Sequence, residues 1–101
     1  MLMRLNPSQI EIIKKSTNQV FGKEASVYLF GSRVYDDKKG GDIDLLIIPN
    51  KSANSSFYSE KIKLLATLKI NLGDQKIDII VKQEFDERNI VKQALLDGIP
   101  L

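Results

Sequence analysis

The chain has 101 residues, 43% hydrophobic and 28% charged, proportions that predict one soluble domain (1–101) with a single modest core. It contains neither cysteine nor histidine, which excludes disulfides, thiolate nucleophiles, Ser-His-Asp catalysis and Cys- or His-ligated metals. A net charge of +2 without a dense basic block is too weak to predict direct nucleic-acid binding, so any chemistry falls to carboxylates, Lys, Tyr, Ser and hard metal ions.

Asn6-Pro7-Ser8 reads as a helix start, a capping residue followed by a proline whose fixed φ suits the first turn. Ile10, Ile13, Thr17, Val20 and Phe21 then share one helical face, and Gly22 is the stop. Residues 25–30 are rich in β-favouring types and read as a short strand. Gly31-Ser32 follows directly, before a segment (32–35) able to begin a short helix, and Lys38-Lys39-Gly40-Gly41 reads as a turn.

A second strand spans 42–48 and is closed by Pro49-Asn50, with a polar loop over 51–56. The next helix runs over 57–72, with Tyr58, Ile62, Leu65, Leu68 and Leu72 on one face and Gly73-Asp74 ending it. A third strand occupies 76–81, and a last helix covers 84–97 with Ile90, Val91, Ala94 and Leu95 facing inward. Gly98 and Pro100 terminate that helix. The order α-β-(turn)-β-α-β-α predicts a small α+β layer fold: a mixed sheet of three to four strands with helices packed on one face. No apolar run is long enough to span a membrane and the N-terminus is too soon interrupted for a secretory signal, so the expected location is cytoplasmic.

Asp42 and Asp44 are the first chemical candidates. Two residues apart on a strand, they leave from the same face with Cα atoms roughly 6–7 Å apart. Carboxylate oxygens are the hard ligands Mg²⁺ prefers, and one such group can bridge two ions in phosphoryl chemistry. Asp78 is a charge inside the otherwise apolar run Ile77-Asp78-Ile79-Ile80-Val81, and burial there would demand a partner. A metal shared with Asp42 and Asp44 supplies one if the two strands are neighbours; an edge strand with Asp78 paired to Lys76 is the plainer alternative. At Gly31-Ser32, backbone N–H groups at a helix start attract anions, glycine lets a phosphate approach the backbone, and Ser32 and Arg33 add a hydroxyl and a charge. A tight turn with Ser32 as N-cap would explain the dipeptide equally well. It is not a P-loop, because the Gly-Lys-[Ser/Thr] ending is absent.

Taken together, Leu29-Phe30-Gly31-Ser32, nine intervening residues and Asp42-Ile43-Asp44-Leu45 resemble the signature of the DNA-polymerase-β-like nucleotidyltransferase superfamily. Ile77-Asp78-Ile79 looks like its third carboxylate strand, and the short chain is similar to the minimal nucleotidyltransferases, the MntA-like group. The resemblance implies Asp42, Asp44 and Asp78 as catalytic metal ligands for two Mg²⁺ ions, Asp78 also helping to deprotonate the acceptor. It implies Gly31, Ser32 and Arg33 as the phosphate-binding residues and ATP or another NTP as substrate. Two departures bear on the phosphate loop: Val34-Tyr35-Asp36 stands where many members carry a small residue, Arg and Gly, and Gly41 precedes the first Asp where Ser is common.

The minimal group also resembles one half of a toxin–antitoxin pair, which implies a HEPN-domain RNase as partner, in a homo- or hetero-oligomer, with AMP transferred to a tyrosine of the toxin. Two other readings stay open: an antitoxin that neutralises by binding alone, and a subunit of a small-molecule transferase of the aminoglycoside-modifying type.

Overall fold

The computed structural model describes residues 5–31, 43–49, 57–73, 75–83 and 85–101. Helix α1 (Pro7–Phe21) begins where the sequence predicts, and the reason is reciprocal capping. The Gln9 N–H donates to Asn6 Oδ1 at 2.8 Å, and the Asn6 N–H donates to Gln9 Oε1 at 2.9 Å. Two donors that the first turn would leave unpaired are thereby satisfied. Strand β1 (Ser26–Phe30) and strand β2 (Ile43–Ile48) follow, then helix α2 (Tyr58–Leu72), strand β3 (Ile77–Val81), helix α3 (Asn89–Asp97) and a two-residue strand β4 (Ile99–Pro100). No helix among the described residues is long and apolar enough to cross a membrane. The predicted turn and short helix over 32–41 and the loop over 51–56 lie outside the described residues.

The sheet is four-stranded and mixed, in the order β3-β2-β1-β4. β1 runs antiparallel to β2 and β4, while β2 and β3 are parallel, with α2 as the crossover between them. The alternation of side chains divides the apolar residues between two faces. Val27 and Leu29 of β1, Ile43, Leu45 and Ile47 of β2, and Ile77, Ile79 and Val81 of β3 join Ile13 and Phe21 of α1 and Leu64 and Leu68 of α2 in the main core. Leu46 points the other way, into a smaller cluster with Val91 and Ala94 of α3, flanked by Tyr28, Phe30, Ile48 and Ile80. β2 is thus apolar on both faces because it is the central strand of a covered sheet.

Three expectations need correction. The helices do not share one face: α1 and α2 cover one side, and the short α3 lies across the other. On α2 the buried face is centred on Leu64 and Leu68, leaving Tyr58 (66% exposed) and Ile62 (48%) outside it. At 100° per residue these two sit well round the helix from Leu68. The last helix starts at Asn89 rather than 84, and only Val91 and Ala94 are buried, with Ile90 and Leu95 partly exposed on either side of them.

The late start of α3 has a local cause. The Asp86 carboxylate accepts from the Gln83 N–H at 2.9 Å, the Arg88 N–H at 3.2 Å and Arg88 Nε at 2.9 Å, and forms an ion pair with Arg88 Nη2 at 2.6 Å. Arg88 Nη2 also donates to the Val81 carbonyl, tying the turn to the end of β3. An Asp that binds backbone N–H groups two and three residues away offers the chain an alternative to helix. The Arg88 hydrogen bond, followed by the two backbone donors, holds the Asp86 carboxyl well below the usual carboxylate range, against the opposing effect of burial. A carboxyl lowered on folding stabilises the protein above its unfolded pKa, about 3.9, and that contribution fades as pH falls below it. The wild type should therefore lose more stability than Asp86→Ala between about pH 5 and pH 2, as read from urea midpoints; parallel pH profiles would refute the clamp's contribution.

Candidate functional site

The parallel register places Asp44 directly beside Asp78, with Leu46 beside Ile80 one step further along the same face. The Ile43 N–H bond to Lys76 O and the Lys82 N–H bond to Ile47 O, each 2.9 Å, frame this pairing at its two ends. The two acids thus leave adjacent strands on one face of the sheet, with backbones about 4.8 Å apart. It is the face that α3 covers, and α3 packs over Leu46, leaving the acids at the end of the sheet where β2 and β3 begin. β1 arrives there from the opposite direction: Phe30, its last residue, is the antiparallel partner of Asp44. Gly31 comes next, with φ +79, a conformation open to glycine and strained for most other residues.

The structure therefore brings together three of the residues singled out from the sequence: Gly31, Asp44 and Asp78. Asp42, Ser32 and Arg33 lie outside the described residues. Asp44 is half-buried, whereas Asp78 is exposed. Of the two readings offered for Asp78, burial in an apolar strand is overturned and the edge-strand position holds. β3 is the edge strand of the sheet, and its burial alternates, with Ile77, Ile79 and Val81 inside. What survives is the adjacency: the strands of Asp44 and Asp78 are neighbours in register.

Two carboxylates side by side are a fitting start for a divalent cation, which would relieve their mutual repulsion with hard oxygen donors. Among the described residues no group of three His, Cys, Asp or Glu side chains could hold a metal ion. A third donor in this site would have to come from elsewhere, and Asp42 is the nearest candidate in sequence. A cleft of about 250 Å³ lined by Phe57, Tyr58, Lys61, Ile80, Val81, Gln83 and Arg88 lies toward the far end of β3; neither acid lines it, and its nearest β3 residue, Ile80, is about 6–7 Å of strand from Asp78.

Sequence reasoning missed two features. The Asp86–Arg88 clamp that sets where α3 begins was readable only as an Asp and an Arg two residues apart after a strand, a weak signal. The crowding at Gly31, where any Cβ would meet the Asp44 carboxylate, had no local signal, because it depends on how two strands pair.

Residues 10–101 match a family model described as a nucleotidyltransferase domain, and the match takes in all seven elements except the first turn of α1. A search among curated proteins returned no match.

Proposed function

Because the chain belongs to the nucleotidyltransferase domain family, we propose that it is a Mg²⁺-dependent enzyme that transfers AMP from ATP to a hydroxyl of a partner protein. The acceptor would be a tyrosine of a HEPN-type RNase toxin, with this chain acting as the antitoxin. The family moves nucleoside monophosphates from nucleoside triphosphates, so an NTP is the donor. The observation that carries the reading is the in-register placement of Asp44 beside Asp78 at the end of β1, against Gly31.

In this proposal Asp42, Asp44 and Asp78 hold the metal. Mg²⁺, when bound, neutralises triphosphate charge and makes the acceptor hydroxyl more acidic. Gly31, Ser32 and Arg33 bind the outer phosphates through backbone N–H groups, a hydroxyl and a guanidinium. In this reading Asp78, exposed at the sheet edge, accepts the hydroxyl proton as the oxygen attacks the α-phosphorus and pyrophosphate leaves. Asp44, half-buried beside Phe30, sits against an apolar neighbour that raises the strength of its electrostatic interactions.

The test is incubation with α-labelled ATP, Mg²⁺ and the co-expressed product of the neighbouring reading frame. Label should appear on that protein's tyrosine. Neutralisation that persists in an Asp44→Asn variant, with no label transferred by the wild type, would favour the binding-only antitoxin instead.

A further inference from the structure

Three described glycines have positive φ: Gly22 (+106), Gly31 (+79) and Gly73 (+85). A side chain at Gly22 or Gly73 would meet nothing within 4 Å, so only the backbone conformation requires glycine there. Gly31 is different. A Cβ built on it would land inside the van der Waals shell of Asp44 Oδ2, 3.1 Å from Cγ and 3.4 Å from Cβ. All three of its nearest neighbours are atoms of the Asp44 side chain. The volume a side chain would fill at position 31 is already occupied by the carboxylate.

We propose that Gly31 is a positioning residue whose missing Cβ forms the seat of the Asp44 carboxylate. This demand is separate from any approach of phosphate to the Gly31 backbone. The seat follows from the antiparallel register, which sets Phe30 opposite Asp44 and so turns the chain at Gly31 across the carboxylate. A methyl group at 31 must push the Asp44 side chain into another rotamer, or shift the end of β1, because rigid backbone lies on one side and a short two-torsion side chain on the other. The consequence for metal holding rests on the proposed function; the contact itself does not.

The experiment compares Gly31→Ala, Asp44→Ala and the double variant in full-length protein, with Gly22→Ala as a control for the backbone conformation alone. Urea midpoints report the contact, and Mn²⁺ titration without nucleotide reports the seat. Gly31→Ala should lower the midpoint by more than Gly22→Ala, and removing the carboxylate in the double variant should return most of that excess. It should also weaken Mn²⁺ binding by about tenfold, the scale seen when a group orienting a ligand is lost. In transfer assays kcat should fall by about a hundredfold with little change in KM for the NTP, as expected for a misplaced reacting group rather than a lost substrate contact.

Equal effects of Gly31→Ala with and without the Asp44 carboxylate would overturn the proposal. So would unchanged Mn²⁺ affinity accompanied by a raised KM, the pattern of a phosphate contact. If Gly31→Ala does not fold, folding of the double variant supports the seat and its failure to fold refutes it. A wild type that binds no Mn²⁺ would remove the metal reading and the proposed function with it, while the urea comparison still decides whether Gly31 seats Asp44.

Discussion

Asp44→Asn should lower nucleotidyl transfer by about a thousandfold or more while leaving the folded state within about 1 kcal/mol of the wild type. The first half follows from the loss of a charged ligand: an amide oxygen is a poorer partner for a divalent cation, and lost electrostatic stabilisation in such sites costs factors of about 10²–10³ or more. The second half follows from the register. Asp44 and Asp78 stand side by side across a parallel pair. Like charges so placed destabilise a sheet by up to about 1 kcal/mol, and the exposure of Asp78 lets solvent and salt screen the pair further. Asn keeps the shape of the side chain, so Gly31 still accommodates it. Two measurements separate catalysis from folding: steady-state transfer with ATP and Mg²⁺, and the thermal midpoint with and without Mg²⁺. The wild type should gain stability from the ion by mass action, and the variant should gain little. Transfer within tenfold of wild type would remove Asp44 from the chemistry.

Much of the fold is legible in the sequence because the chain punctuates its elements chemically. Asn6-Pro7 with Gln9 three positions on specifies the start of α1, and Gly22, Gly73 and Gly98 stand at the three helix C-caps. What could not be read was how elements meet. Leu45, Leu46 and Ile47 are all apolar, which announces a central strand but does not say that β3 lies parallel on one side and β1 antiparallel on the other. The same blindness applies to helix faces. Val91 and Leu95 look equivalent on a wheel, and only the position of α3 over Leu46 buries the first and leaves the second partly exposed.

For the candidate site the division is similar. The spacing of Gly31, Asp44 and Asp78 pointed to a shared chemistry, but their convergence is a property of strand pairing. Asp78 shows the limit most clearly: its apolar neighbours left burial and an edge strand both open, and only the order of the strands decides for the exposed edge. Nothing local to Gly31 says that a side chain there would meet Asp44, whereas one at Gly22 would meet nothing within 4 Å.

The largest effect on stability should come from Leu45→Ala, and comparison with Leu46→Ala tests the two-core architecture. Both leucines are fully buried on the central strand, one residue apart and on opposite faces. Leu45 is flanked in register by Leu29 and Ile79, so three apolar side chains run in a row across the sheet beneath α1 and α2. Neighbours held on both sides and above cannot close a cavity easily, and truncation in such a place costs about 3–5 kcal/mol. That is a large part of the roughly 5–15 kcal/mol that stabilises a typical fold, and at about 4–8 °C per kcal/mol it lowers the thermal midpoint by well over 10 °C. Leu46 lies under the nine-residue α3, among Tyr28, Phe30, Ile48 and Ile80, which are only partly buried. A short helix on a thin layer can settle into the space, so Leu46→Ala should cost less, about 2–3 kcal/mol. Urea unfolding of both variants checks the ranking. A cost for Leu46→Ala equal to or above that of Leu45→Ala would mean that α3 is anchored as firmly as α1 and α2. Because Leu46 is the next side chain along the face from Asp44, Leu46→Ala should also reduce transfer at temperatures where the variant is still fully folded, whereas Leu45→Ala should reduce it only in proportion to the unfolded fraction.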